Sequence, residues 1–201
     1  MIKSGGTLCV TTFLCVIYGG VDMKEKKILS VVIYMVLAFL IVLADQFTKI
    51  WAIRALSDIR GIELLPFLSF NLRFNAGASF SFATGYTYVF TLLSFIVLLI
   101  IPVVAWKYSH PLLRTGLSIV FGGVIGNFID RITRAPGFAR GEVVDFITYG
   151  NTVTGNVADI AINIGVIVVA IYVLFIHQDS SDNVRVMSIS SAETNEEDLR
   201  E

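Results

Sequence analysis

Long apolar blocks separated by short polar clusters dominate this chain. Ile28–Ala44 carries no charge and stops at Asp45, and Tyr86–Trp106 carries none either. Thr115–Ile129 is shorter and glycine-rich, bounded by Arg114 on one side and by Asp130 and Arg131 on the other. Val157–Ile176 is the fourth block, interrupted by Asp159 near its start and by the milder Asn163. A helix needs about 20 mostly apolar residues to cross a bilayer. Long Arg side chains at the ends of a short block reach the headgroups and extend its span. Backbone polar groups in lipid must be satisfied within their own segment, so each block is expected to be helical. The pattern predicts an all-α integral membrane protein, a bundle of four transmembrane helices.

Composition agrees with that class. Of 201 residues, 55% are hydrophobic and 15% charged, and the mean hydropathy is +0.77. A soluble domain of this length carries more charge, interleaved with its apolar residues. The net charge of -1 gives no electrostatic footprint for nucleic acid. Residues 1–22 are set apart: Thr7–Val21 is apolar, Lys3 precedes it, and Gly19 and Gly20 interrupt its end. This resembles a secretory leader. However, Met23 to Lys27 reads as the cytoplasmic lead into the first span, so translation is expected to start at Met23. Cys9 and Cys15 both fall in this extension, and no disulfide framework or cysteine metal site can be built from them. Lys24, Lys26 and Lys27 place the first span's start in the cytoplasm. Lys49, Arg54, Arg60, Arg73, Arg131, Arg134 and Arg140 in the outer loops nearly offset this bias, so the orientation rests on those lysines. Residues 23–177 are expected to form one membrane-embedded domain. The acidic segment from Gln178 is read as a disordered cytoplasmic tail.

Against this frame the strongly polar residues collect at one membrane face, the outer one. "DQFTK" (Asp45–Lys49) closes the first span, and "NLRFNAGASF" (Asn71–Phe80) precedes the second. "GGVIGNFIDR" (Gly122–Arg131) closes the third, and "EVVDF" (Glu142–Phe146) and "NVADIAIN" (Asn156–Asn163) lead into the fourth. Asn127 shares a helix face with Asp130 and Arg131, as do Asn156, Asp159 and Asn163, and Asp45 can pair with Lys49. Gly122 and Gly126 have the small-residue spacing that lets helices approach closely. A purely structural reading, polar groups gluing helices together, fits the asparagines and glycines well.

It fits the acids less well. A carboxylate at membrane depth costs about 2.5–3.5 kcal/mol on insertion scales. Asp159 has no Lys or Arg within a helical turn, and Asp145 lies in an apolar run without an adjacent base. The turn-forming "ITYGNTVTGN" between them lets the chain double back and bring both acids to one depth. Two carboxylates held close at a dry boundary share a proton, so one can activate water while the other protonates a carbonyl oxygen. His110 and His177 both lie at the predicted inner face, which argues against a Ser-His pair or a zinc site beside the acids.

"DQFTK", "NAGASF", "GGVIGNFIDR", "VVDF" and "NVAD", in this order at the outer ends of the spans, resemble the bacterial lipoprotein signal peptidases, or signal peptidases II. Each motif alone is weak, but five in order from Met23 to about Ile176 are specific. The resemblance implies a monomeric multi-pass aspartic endopeptidase of the bacterial inner membrane, with both termini cytoplasmic and no cofactor or metal. Such an enzyme removes the signal peptide from prolipoproteins just before a diacylglyceryl-modified cysteine and is sensitive to globomycin. It also implies Asp145 and Asp159 as the catalytic pair. Asn75, Asn127, Arg131 and Asn156 match polar positions around substrate or dyad, and Asp45 and Lys49 match a supporting motif. Gly77 and Gly126 fit as close-packing positions, and Asp130 as a group holding Arg131 or capping its helix. Besides the extension at residues 1–22, one departure stands out: Gly155 occupies a position where the family usually has Phe. Ile50–Leu68 mixes Trp51, Ile53, Leu56, Leu64, Leu65 and Phe67 with charges. It is expected to form an interfacial helix or small sheet between the first two spans, and the resemblance suggests a cradle and flap over the site. The bland alternative for that segment is an amphipathic connector. For the whole chain the alternatives are a proton-coupled transporter or channel, or a non-catalytic assembly factor. The partners the resemblance implies are lipid-modified prolipoproteins and membrane lipids, and no nucleic acid is expected.

Overall fold

The computed structural model describes residues 23–59, 61–77, 87–150 and 153–176. The expected N-terminal extension and acidic tail lie outside them, as does His177. The chain divides into two compact units, 1–36 and 37–201, and the packing below concerns the second. In chain order the elements are α1 (Met23–Leu56), β1 (Ile62–Leu65), β2 (Leu68–Asn75), α2 (Thr87–Lys107), α3 (Pro111–Thr133), β3 (Val143–Tyr149), β4 (Val153–Gly155) and α4 (Val157–Ile171), which runs on as a π-turn, Tyr172–Ile176.

Four helical segments are long and apolar enough to cross a membrane: Ile28–Leu56, Thr87–Lys107, Pro111–Thr133 and Val157–Phe175. Three match the expected blocks within a few residues. The first runs well past Asp45, where the sequence pattern predicted its end. The charges do not stop α1 because they are satisfied internally: Asp45 and Lys49 form an i,i+4 ion pair and both are fully buried. The final turns then bury Ala52 and Leu56 instead of exposing them.

Glycines set how closely the helices approach. A Cβ on Gly122 would press on the backbone of Ala38 in α1, and one on Gly123 on Ala158 and Ile162 in α4. Phe95 of α2 stacks on Phe128 of α3 at 6.3 Å between centroids. Leu92, Leu99 and Val103 of α2 and Ile167 of α4 are exposed, as expected of surfaces facing lipid. At the end opposite the sheet, Arg114 donates to the carbonyls of Ala105 and Tyr108, closing the short α2–α3 connection. His110, immediately before α3, lies at this same end.

The strands form one antiparallel sheet of order β1-β2-β3-β4. The element expected between the first two spans is therefore the β1–β2 hairpin. Its other half, β3–β4, comes from between α3 and α4, where the sequence reading saw only an apolar run and a turn. "VVDFITY" does not alternate, because β3 is buried on both faces over most of its length. A short continuous apolar run leaves strand and helix undistinguished. Tyr149 and Val153 pair on either side of the expected turn, and Gly150 has φ +60°; Asn151 and Thr152 lie outside the described residues. Ala52, Leu56 and Phe146 make a small core with Phe70, Leu72, Ile147 and Val157 packed around it. Trp51 meets Phe70 and Phe146 edge-on at 5.5 and 6.2 Å. The last turns of α1 thus seat the sheet where α1 and α3 end and α4 begins.

Candidate active site

Asp159 is the third residue of α4, and its position follows from how that helix starts. Asn156 is the N-cap: its Oδ1 accepts from the Asp159 N–H at 3.0 Å, while Asp159 Oδ2 accepts from the Asn156 N–H at 3.0 Å. This reciprocal capping box satisfies two otherwise orphaned donors and fixes the side chain's direction. The other oxygen, Oδ1, accepts from Asn127 Nδ2 on α3 at 2.8 Å.

Asp145 lies on β3 and is buried. Its Oδ1 accepts from Asn156 Nδ2 at 2.7 Å and its Oδ2 from Asn75 Nδ2 at 2.9 Å. Asn156 therefore holds both acids, Asp145 through its side-chain NH₂ and the Asp159 carboxylate through its backbone N–H. Asn75 is oriented in turn, because its Oδ1 accepts from the Gly77 N–H at 3.0 Å. Burial pushes the Asp145 carboxyl up to about 6, and the charge of Asp159 adds to the rise. The hydrogen bonds from Asn75 and Asn156 and the charge of Lys49 oppose it.

Arg131 donates to the Gly77 carbonyl at 3.4 Å, and its guanidinium lies over the Phe90 ring at 5.4 Å. Its Nη1 has no hydrogen-bond partner among the described residues. The charges of Asp145, Asp130 and Asp159 all act on it.

Beneath the two acids lies a buried ionic cluster. Lys49 Nζ reaches Asp45 Oδ2 and Asp130 Oδ2, each at 2.8 Å, and donates to Asn127 Oδ1 at 2.9 Å. Asp130 also accepts from Arg134 Nε at 2.7 Å and from the Val144 N–H at 3.3 Å. Asp45 Oδ1 accepts from the Ala158 N–H of α4 at 2.9 Å. A Cβ on Gly126 would come within 2.5 Å of Asp45 Oδ2, so only glycine leaves room for this arrangement. Lys49 fixes which way the Asn127 amide faces, and Asn127 then presents its NH₂ to Asp159.

Each residue singled out in the sequence is thus placed. Asp145, Asp159, Asn75, Asn127, Asn156, Arg131 and Gly77 meet around the paired acids, and Asp45, Lys49, Asp130 and Gly126 form the layer that supports them. One expectation needs correction and a second needs refining. Asn163 does not share the site with Asp159, because it is exposed on α4 and Asn156 is a cap rather than a helix-face residue. Asp130 bonds Lys49, Arg134 and the Val144 N–H, and acts on the expected partner Arg131 through its charge. Two further residues join this layer without a strong signal in the sequence: Arg134, at i,i+4 from Asp130, and Gln46, which donates to Asp45 and to the Gly126 carbonyl. Among the described residues no group of three or more His, Cys, Asp or Glu is placed to hold a metal ion.

Comparison with known proteins gives a consistent result. The family model for signal peptidase (SPase) II matches residues 37–175. A lipoprotein signal peptidase of Bifidobacterium longum subsp. infantis is 38% identical over 154 residues, covering 74% of this chain and 84% of its own. Those of Rhodococcus jostii and Mycobacterium tuberculosis are each 36% identical, over 140 and 139 residues. They cover 69% of this chain, and 71% and 69% of their own. A bacterial membrane enzyme solved by the in meso method at 2.3 Å resolution superposes with a TM-score of 0.61 at 30% identity. It covers 74% of this chain and 90% of its own.

Proposed function

Because this chain belongs to the signal peptidase (SPase) II family, we propose that it is a membrane-embedded aspartic endopeptidase. Its substrates are diacylglyceryl-modified prolipoproteins, cut on the amino side of the lipidated cysteine. The observation that carries the aspartic mechanism is the shared Asn156, which ties Asp145 and Asp159 into one hydrogen-bonded unit.

In this reading the pair holds one proton. The ionised carboxylate removes a proton from a water lying between them, and the water's oxygen bonds to the scissile carbonyl carbon. The protonated carboxyl gives its proton to the carbonyl oxygen. As the tetrahedral intermediate collapses, one of its hydroxyls returns a proton to the carboxylate that had protonated the carbonyl oxygen, the C–N bond breaks, and the leaving amine takes the proton that came from water. The products are a free carboxylate and a free amine, and the pair is left with its single proton. Burial and the neighbouring charge make Asp145 the group that keeps a proton more readily than an ordinary aspartate. Arg131, with Nη1 open, is suited to receive a substrate carbonyl. The substrate is a membrane-anchored helix end, so a site at the sheet end of the bundle, on the outer face of the cytoplasmic membrane, meets the bond where it leaves the bilayer.

The test is cleavage by the purified protein in detergent, with products read by mass. A prolipoprotein carrying diacylglycerol is expected to be cut at the lipidated cysteine, and its unmodified counterpart to be spared. Equal cleavage of both, or a cut elsewhere, overturns the reading. Ion flux in liposomes without any cleavage would favour the transporter instead.

A second expectation concerns pH. Asp145 binds its proton up to about pH 6. Above that the pair loses its last proton, so kcat/KM is expected to decline on the alkaline side of a limb in that region. Asn75 donates to Asp145 and favours its ionised form. Asn75→Leu removes that bond, so the limb should move to higher pH. A limb that stays in place in Asn75→Leu counts against Asp145 as the proton carrier.

A further inference from the structure

Gly155 ends β4, pairs with Ile147 of β3, and immediately precedes the Asn156 cap. Its backbone does not require glycine: the described glycines with positive φ are Gly61, Gly137 and Gly150. What distinguishes the position is what a side chain there would meet. The three nearest heavy atoms to a Cβ at 155 all belong to Asp159, with Oδ2 at 3.0 Å and the next two at 3.6 and 3.7 Å. That carboxylate cannot easily give way, because Oδ2 is held by the Asn156 N–H and Oδ1 by Asn127. A side chain at 155 would therefore lie directly on the face of Asp159. With glycine, no side chain from position 155 covers that face.

We propose that Gly155 keeps open a specificity subsite beside Asp159 that receives the side chain of the substrate residue following the lipidated cysteine. The assignment rests on the peptidase reading above. Gly155 belongs to the sheet and lies outside the apolar span that begins at Val157. The space beside it is therefore on the water side of Asp159, where the chain continuing into the mature lipoprotein must leave. The signal peptide and the acyl chains lie on the opposite, bilayer side. A strand end without a side chain makes room for a large residue at that substrate position, and filling the space excludes it.

The experiment compares two diacylglyceryl-modified prolipoproteins that differ only in the residue after the cysteine, Gly in one and Trp in the other. The readout is the ratio of their kcat/KM values. The native protein is expected to cut both at similar rates. In Gly155→Phe the Trp/Gly ratio should fall roughly tenfold or more, the discrimination available to a pocket that gains bulk. Gly155→Ala should lower the same ratio by less, and it serves as the smaller change should the Phe variant not fold. A residue needed only to leave Asp159 undisturbed would slow both substrates together, so an unchanged ratio in the folded variants overturns the subsite. Strong discrimination against Trp by the native protein overturns it as well. Failure of the native protein to cut either substrate removes the peptidase reading itself, and the subsite with it.

Discussion

Asp145→Asn and Asp159→Asn are each expected to lower cleavage of a diacylglyceryl-modified prolipoprotein by roughly 10²–10⁴-fold. The substitution keeps the shape of the side chain and removes its ability to ionise, so it isolates the proposed chemistry from packing. At position 159 the Asn oxygen can still accept from the Asn156 N–H and keep the start of α4, but its NH₂ then faces Asn127, which already donates there. At position 145 the new amide must point its NH₂ toward Asn75 or Asn156, both of which already donate there. Some local rearrangement is expected at both positions. Comparable losses in variants that remain folded would argue for a shared chemical role. The double variant should be scarcely worse than either single one, because residues that act as a unit do not contribute additively. Thermal unfolding of each variant separates lost chemistry from lost structure. Near-native cleavage by either single variant would sink its catalytic assignment.

Lys49→Met is expected to produce the largest loss of stability, on the order of 3–5 kcal/mol for a buried pair broken from one side. Lys49 is fully buried and serves Asp45, Asp130 and Asn127 together. Removing the ammonium leaves two buried carboxylates facing each other's charge across the space it filled. Arg134→Met is the control. It also pairs with Asp130, but its side chain is 23% exposed and water can take over part of its role. Denaturation in detergent should show a much larger loss for Lys49→Met than for Arg134→Met, and equal losses would contradict the cluster's central role. Lys49→Met should also slow cleavage, since Asn127 loses the partner that fixes its amide toward Asp159.

The helices were legible in the sequence because lipid imposes a single requirement, a long apolar block with its backbone bonds satisfied internally. Where α1 ends was not legible. Asp45 and Lys49 look like a polar stop until a partner from α3 is known, and Asp130 lies far along the chain. Half of the sheet was hidden for a related reason: β3 is covered on both faces, so it lacks the alternation that marks a strand. The polar residues of the candidate site were legible because they are costly at a membrane boundary and stand out against their surroundings. Their division of labour was not. That Asn156 is a cap, that Asp130 bonds Lys49, and that Asn163 is left exposed depend on contacts between elements distant in sequence. Gly155 was visible only as a departure from a pattern, and its consequence needed the position of Asp159.

The hydrogen bond from the Ala158 N–H to Asp45 joins the first membrane helix to the last, across 113 residues of sequence. A chain emerging from the ribosome delivers α1 to the bilayer long before α4 exists. Until α4 arrives, Asp45 Oδ1 lacks its final donor and Asp159 has yet to reach Asn127. Asp145 and Asp159 both follow α3 in the chain, so the paired acids come together only once α4 has begun. On the mechanism proposed above, no activity precedes the arrival of α4. A chain that stops short of α4 carries an unfinished carboxylate in its first helix, a chemical mark of incompleteness available to membrane quality control.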